Sequence, residues 1–328
     1  MLRDIKGIKE IPITEIEGIR IGQAENREAG TGCTVFIADH GMAAGLDVRG
    51  GGPASRESEL LKPLAAAETI HAVLLSGGSA YGLSAAGGVM QYLEENGIGL
   101  PVGNGIVPLV CQSDIFDLTV GDGHVRPDIA MGYAAAKASE SGNYRDGNYG
   151  AGTGATVGKG RGMSFCTKSG IGSYAIALGK IKIGAVDVVN ALGNIYDAEG
   201  RVLAGQRNLA GDGFDSVLAT MAESVIPQAG MNTTIGIILT NARFTKTQLC
   251  KMAGMAHNGY ARAIRPVHTS MDGDSIYAVS LGEESCSLDL AGSLSAEVMM
   301  LAIGRAVESA ESAYGIPCAK EIRKGMRL

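Results

Sequence analysis

The 328-residue sequence lacks several common signatures, and each absence removes a class of function. Its six cysteines (Cys33, Cys111, Cys166, Cys250, Cys286 and Cys318) lie far apart and include no C-x-x-C pair. A chain of this size needs no disulfide framework, so they read as mostly buried thiols in a reducing compartment. The five histidines (His40, His71, His124, His257 and His268) show no H-E-x-x-H or other metal-ligand spacing. Asp272-Gly273-Asp274 is too short for a calcium loop, and neither metal nor organic cofactor is expected. The N-terminal stretch MLRDIKGIKEIPITEIEGIRIG is charged every few residues and has no apolar region of about 7–15 residues, so no signal peptide is expected. No run approaches the roughly 18 uninterrupted apolar residues that would span a bilayer. Repeats and low-complexity segments are missing too. The expectation is a cytoplasmic chain without a membrane partner.

What is present describes a folded chain with a generous interior: 45% hydrophobic and 19% charged residues, with a mean hydropathy of +0.13. The net charge of -6 and pI near 5.5 argue against nucleic acid or an anionic membrane as partner. Glycine supplies 49 residues, roughly twice the usual share of about 7%. These glycines are mixed with Val, Ile, Leu and Ala, which favours tight turns and close strand–helix packing over a flexible linker.

Apolar periodicity gives a mixed order of elements. Thr34–Asp39 and Met42–Asp47 read as paired strands around a His40-Gly41 turn, and His71–Ser76 as a short strand. Glu57–Thr69, Ser79–Asn96, Asp128–Ser139 and a segment near Asp215–Ser224 read as helices, the second ending on Asn96-Gly97. Ser141–Gly162 reads as a polar, glycine-rich loop, followed by strands at Ser173–Leu178 and Ile183–Asn190. Ser224–Asn232 is the best linker candidate. Beyond it come a strand at Thr233–Thr240, a helix at Thr247–Ile264, a strand at Ser275–Ser280 and a long helix at Ser293–Tyr314. Strands and helices occur both singly and in runs, so the class is α/β or α+β, with helical layers over packed sheets.

Three motifs look functional and fail on inspection. Gly77-Gly78-Ser79-Ala80-Tyr81-Gly82 sits where a G-x-S-x-G nucleophile elbow would, but Tyr81 takes the second glycine's place. A helix N-cap is the role expected of Ser79. Gly150-Ala151-Gly152-Thr153-Gly154-Ala155 fits G-x-G-x-x-A, yet SGNYRDGNY before it is no strand. Gly158-Lys159 resembles the end of a P-loop, but Gly160 replaces the required Ser or Thr. The isolated histidines read as structural; His268 stands out because it lies four residues before Asp272.

Met231-Asn232-Thr233-Thr234-Ile235 places a hydroxyl where the linker meets an apolar strand. Attack by the Thr233 hydroxyl on the Asn232 carbonyl would give an ester, and hydrolysis would leave a chain beginning at Thr233. Its α-amine, with an unperturbed pKa of about 8, can serve as base for its own hydroxyl. This chemistry needs no Ser–His pair. An ordinary strand start is the alternative reading of the same residues.

The ordered set of blocks resembles the DmpA-type aminopeptidase family (L-aminopeptidase/D-esterase), which includes β-peptidyl aminopeptidases and nylon-oligomer hydrolases. The blocks are Gly32-Cys33-Thr34-Val35, Asp47-Val48-Arg49-Gly50-Gly51, Gly77 to Leu83, Ile115-Phe116-Asp117-Leu118, Gly150 to Lys159, Val189-Asn190-Ala191, Asn232-Thr233-Thr234 and Asp272-Gly273-Asp274. The resemblance runs roughly from Ile13 to Tyr314. It implies an αββα sandwich, similar to that of ornithine acetyltransferases, in a single catalytic unit. It also implies self-cleavage between Asn232 and Thr233 into residues 1–232 and 233–328, which stay together as protomers of a homo-oligomer. The site residues it implies are Thr233, Lys159, Asn190, Asp272 and Asp274, acting on a small peptide or amide.

In physical terms Thr233 would be nucleophile and base, and Asn190 a neutral donor to the oxyanion. Lys159 would favour the neutral Thr233 amine, and the Asp272/Asp274 pair would orient Thr233 or hold a substrate ammonium. The chain departs from the family pattern at Gly52–Glu57, at Cys111-Gln112-Ser113-Asp114 and at Asn194. The second departure bears on substrate preference if that segment lines the pocket. Two other functions fit the same residues: an acyltransferase passing the Thr233 ester to an amine, and a catalytically silent binding protein.

Overall fold

The apolar run after Asn232 becomes the ten-residue strand Thr233–Ala242, whose side chains alternate between two buried faces. Ile235, Ile237 and Leu239 enter one hydrophobic layer, while Ile238 enters another. The computed structural model, which describes residues 2–223 and 232–325, builds two sheets around this pattern. The first sheet runs Ile8–Ile11, Ile171–Leu178, Ile181–Asn190, Thr233–Ala242, Ser275–Glu284 and the second half of Thr31–Val48. Neighbours are antiparallel except for Thr233–Ala242 and Ser275–Glu284, which are parallel. The second sheet joins Arg20–Asn26, the first half of Thr31–Val48, Ile70–Ser76, Val110–Asp114 and Ala54–Arg56.

Three buried layers hold the sheets and helices together. Phe36, Val73 and Leu75 of the second sheet meet Val186, Val188, Ile235, Ile237 and Tyr277 of the first. The helices Lys246–Ala263 and Leu288–Ser309 cover the outer face of the first sheet, with Tyr260, Met299 and Ile303 in that layer. The helices Ala85–Glu95 and Ile129–Ala138 cover the second sheet through Val89, Leu93 and Ala135. The result is the αββα sandwich expected above. Leu288–Ser309 is long and apolar enough to cross a membrane, but 67% of its most apolar window is buried inside the fold.

Several segments differ from the sequence reading. Thr34–Asp39 and Met42–Asp47 are not a hairpin but parts of one 18-residue strand, Thr31–Val48. At Gly41, with φ +77°, the strand bends instead of reversing. Ile37 still pairs with Ala72 and Met42 with Ile70, with a register shift between, so the chain keeps its direction while passing from one sheet to the other. Glu57–Thr69 is not a helix beyond the short 3-10 turn Ser58–Leu61: Leu61 is buried, but Pro63 interrupts the segment and Leu64 is fully exposed, so no apolar face continues beyond Leu61. The last long helix begins at Leu288, where the Ser287 hydroxyl caps it by accepting the Leu290 N–H, and it ends at Ser309, followed by extended backbone at Ala310. Ser141–Gly162 is not a surface loop throughout, since residues 150–158 are buried. The helix near Asp215 spans Val217–Glu223, and residues 224–231 of the expected linker lie outside the described residues.

Ile237 lies wholly buried between the sheets, so Ile237→Ala should cost about 2–5 kcal/mol. Urea unfolding should show this as a lowered midpoint with an unchanged slope.

Candidate active site

Strand pairing brings the site together. Thr233 opens a central strand, and Asn190, the last residue of Ile181–Asn190, is its direct antiparallel partner. On the other side Ile235 pairs in parallel with Ser275, which lays the 272–274 turn beside residues 232–234. Asn232 and Asp272 form an isolated parallel bridge, and the Gly273 N–H donates to the Asn232 carbonyl at 2.9 Å. The Thr233 hydroxyl lies 2.5 Å from that same carbonyl oxygen. Asn232 and Thr233 are both buried.

Position 273 has no room for a side chain. A Cβ there would stand 2.8 Å from the Thr233 hydroxyl oxygen and 2.9 Å from the Gly52 carbonyl. The segment after the bent strand seats the turn: the Arg49 and Gly50 N–H groups donate to the Asp274 carbonyl at 2.9 and 3.2 Å, and the Gly52 N–H to the Asp272 carbonyl at 2.8 Å. This gives the Arg49-Gly50-Gly51 block a physical reason, since a Cβ at Gly50 would meet the Asp272 carbonyl oxygen at 2.3 Å.

The two carboxylates serve different neighbours. Asp274 accepts the Thr234 N–H on Oδ1 at 2.8 Å, and on Oδ2 both the ring Nδ1 and the backbone N–H of His268, at 2.8 and 3.2 Å. Asp272 accepts the Thr269 N–H on Oδ2 at 2.7 Å, while its buried Oδ1 has no partner. Burial, and then the negative charge of Asp274, push the Asp272 carboxyl up to about 6; the Thr269 hydrogen bonds and Lys159 pull the other way.

Lys159 donates from Nζ to Asn190 Oδ1 at 2.8 Å and to the Asn190 carbonyl at 3.1 Å. Burial of the ammonium lowers it to about 8, with Cys166, Asp272 and Asp117 opposing. Asn190 Oδ1 also accepts the Thr156 N–H at 3.1 Å, and Asn190 Nδ2 donates to the Phe116 carbonyl at 2.9 Å. Expected as an oxyanion donor, the Asn190 amide thus has a hydrogen engaged on Phe116 in this state. All five residues singled out from the sequence, together with Asn232, fall within this one assembly. The Gly273 N–H and the Phe116 carbonyl are members that sequence reasoning missed, and it also missed the contact of Asp274 with His268, which lies outside the assembly and makes no hydrogen bond with Thr233. Only His268 gave a signal, and its partner is Asp274, not Asp272.

The set-aside motifs have structural roles. Gly78, not Ser79, occupies the N-cap position, and Ser79 follows it at φ +53° with its hydroxyl making no capping bond. Asp117 holds that turn by accepting the Gly78 N–H at 2.7 Å and the Thr31 hydroxyl at 2.6 Å. Gln112 and Asp114 lie on a buried strand, hydrogen-bonded to each other at 2.7 Å, and burial raises the Asp114 carboxyl well above the usual range. Among the described residues no group of three or more His, Cys, Asp or Glu side chains could hold a metal ion.

Comparison with known proteins places nearly the whole chain among relatives. The model of peptidase family S58 matches residues 12–316. An uncharacterized aminopeptidase of Mycobacterium leprae (strain TN) is 36% identical over 343 residues, covering 93% of this chain and 92% of the relative. A 6-aminohexanoate-oligomer endohydrolase of Agromyces sp. (strain KY5R) is 34% identical over 275 residues, covering 82% of this chain and 74% of that protein. The solved L-aminopeptidase D-Ala-esterase/amidase of Ochrobactrum anthropi, described as a variant of the N-terminal-nucleophile hydrolase fold, superposes with a TM-score of 0.69. It is 18% identical and covers 96% of this chain and 93% of its own, so this likeness concerns the fold.

The like charge of Asp274 is one of the two causes that raise Asp272. Asp274→Asn should therefore lower the Asp272 titration, while burial keeps it above an ordinary aspartate. Carboxyl ¹³C NMR across pH 3–8, reaching about three units below and two above the wild-type titration, checks the direction.

Proposed function

Because the chain belongs to peptidase family S58, a family of hydrolases, we propose that it is an aminopeptidase or related amidase that first cuts its own Asn232–Thr233 bond. The observation that carries the reading is the Thr233 hydroxyl 2.5 Å from the Asn232 carbonyl oxygen, a carbonyl already held by the Gly273 N–H at 2.9 Å. A nucleophile beside a carbonyl whose oxygen is already hydrogen-bonded needs little reorganisation to react.

In the proposed self-cleavage, Thr233 Oγ adds to the Asn232 carbonyl carbon as the Asp272 carboxylate takes its proton. The developing oxyanion is met by the Gly273 N–H. The C–N bond then breaks, the proton passes to the leaving nitrogen, and an ester joins Asn232 to the Thr233 oxygen. Water hydrolyses the ester, leaving a carboxylate on Asn232 and a free amine on Thr233. A base is needed for the first step because the α-amine is still bound in the peptide. Asp272, with an unpartnered Oδ1 and a pKa of about 6, suits that task near neutral pH.

In the proposed substrate reaction the new amine replaces the carboxylate as base. It takes the Thr233 hydroxyl proton as Oγ adds to the substrate carbonyl carbon. The substrate C–N bond breaks, the leaving amine departs with that proton, and water then hydrolyses the Thr233 ester to a free acid. Lys159 stays near as a cation that favours the neutral amine. Relatives named as aminopeptidase and as 6-aminohexanoate-oligomer hydrolase share amide cleavage. The substrate class proposed here is accordingly a short peptide or oligoamide.

Intact mass with N-terminal sequencing tests the reading. The wild type should give fragments 1–232 and 233–328, and Thr233→Ala a single uncut and inactive chain of about 33.7 kDa. A Thr233→Ala protein that still hydrolyses amides would sink it. The same chemistry sets a pH profile for freshly synthesised precursor. Cleavage should rise with pH through about 6 as Asp272 loses its proton. A time course of the precursor mass at pH 5–7, about one unit either side, reads this limb.

A further inference from the structure

Cutting before Thr233 would turn the first residue of a central strand into a chain end, and chain ends fray unless tied down. We propose that His268 is the positioning residue that keeps this new terminus seated, by holding Asp274 on the Thr234 amide. The inference rests on the self-cleavage proposed above and concerns the state that follows it.

Asp274 receives three hydrogen bonds, one from the Thr234 N–H and two from His268. Thr234 is the residue after the nucleophile, so the carboxylate grips the strand one residue beyond the bond to be cut. His268 itself makes no hydrogen bond with Thr233 and acts only through Asp274. Its backbone is held at φ +57°, a conformation uncommon for a residue other than glycine, which aims both the ring and the N–H at one oxygen.

The ring is walled in by the helix above the sheet. It stacks on Tyr260 with centroids 5.9 Å apart and planes at 22°, and it meets His257 edge-on at 4.8 Å. Tyr260 and His257 are both fully buried on Lys246–Ala263. The Tyr260 hydroxyl donates to Asp187 at 2.8 Å, and Asp187 lies opposite Gly236 on the strand that ends in Asn190. Next to Tyr260, His257 Nε2 lies 3.1 Å from the Asp47 carbonyl, at the end of the bent strand. The His268 ring is thus fixed by a helix that is itself pinned to strands on both sides of Thr233–Ala242. Such a clamp matters little while Thr233 is still tethered through Asn232. It becomes the nearest side-chain restraint once that bond is gone.

The test compares wild type with His268→Gly, His268→Phe and His268→Asn. Glycine accepts the positive φ and keeps the backbone N–H but deletes the ring; phenylalanine keeps a ring against Tyr260 without a donor. Asparagine tolerates the same backbone and restores a donor near Nδ1. An N-terminal threonine is a 1,2-amino alcohol, which periodate oxidises, and the mass of the 233–328 fragment reports the rate.

All four proteins should self-cleave. The Gly and Phe variants should oxidise about tenfold faster than wild type or more, as a frayed end would, and Asn should restore the slow rate. Should His268→Gly not fold, His268→Phe against His268→Asn carries the comparison. Wild-type rates in the Gly or Phe variants would overturn the inference and leave the self-cleavage reading intact. Equal protection by Phe and Asn would assign the effect to packing and also overturn it. A wild type with no fragment beginning at Thr233 would overturn both.

Discussion

One backbone hydrogen bond, from the Gly273 N–H to the Asn232 carbonyl, fixes the atom on which the site turns. It demands a glycine at 273, because a Cβ would collide with the Thr233 hydroxyl. It demands that the 272–274 turn lie flat against residues 49–52, whose N–H groups hold its carbonyls. That segment is in turn the end of Thr31–Val48, the strand that both sheets share. The placement of the reactive carbonyl therefore depends on where a strand in the middle of the sandwich ends. A rigid scaffold of this kind holds reacting groups better than a loop could.

Where the fold was legible, a period-two pattern made it so. Ile235, Ile237 and Leu239 against Ile238, and Val186 and Val188 against Ala185 and Val189, alternate between the two sides of a sheet buried on both faces. The His40-Gly41 pair reads as a hairpin turn for an equally local reason, since glycine after a polar residue is a common turn signal. Only the partners reveal the bend: Ile70–Ser76 pairs with one half of the strand and Ser275–Glu284 with the other, and neither neighbour is close in sequence. Glu57–Thr69 shows the converse. Its composition favours a helix, but only Leu61 is buried and Leu64 is exposed to solvent, so the segment has no continuous face to bury.

The site divides along a similar line. Thr233, Lys159, Asn190, Asp272 and Asp274 stand in blocks whose order resembles a known family, and the structure brings them together. The Gly273 N–H and the Phe116 carbonyl are backbone groups, which any residue type could supply, so no letter of the sequence announces them. His268 is intermediate. Its closeness to Asp272 along the chain drew attention, but the turn at 269–273 delivers its ring to Asp274 instead.

Burial moves the titrating groups of this site toward one another. Asp272 is raised to about 6 and Lys159 lowered to about 8, so each lies within about one unit of neutral pH in place of about three for the free side chains. Buried charges of this kind are costly and contribute little to stability, which leaves chemistry as the better reason for their presence. The proposed route uses the two at different times. Asp272 supplies a base while the Thr233 nitrogen is locked in a peptide bond, and that need ends when the amine is freed. Lys159 has its larger effect afterwards, because only then is there an amine whose proton its charge can discourage. One arrangement of fixed charges can thus serve two successive reactions without rearranging, since it is the peptide bond, not the pocket, that changes between them.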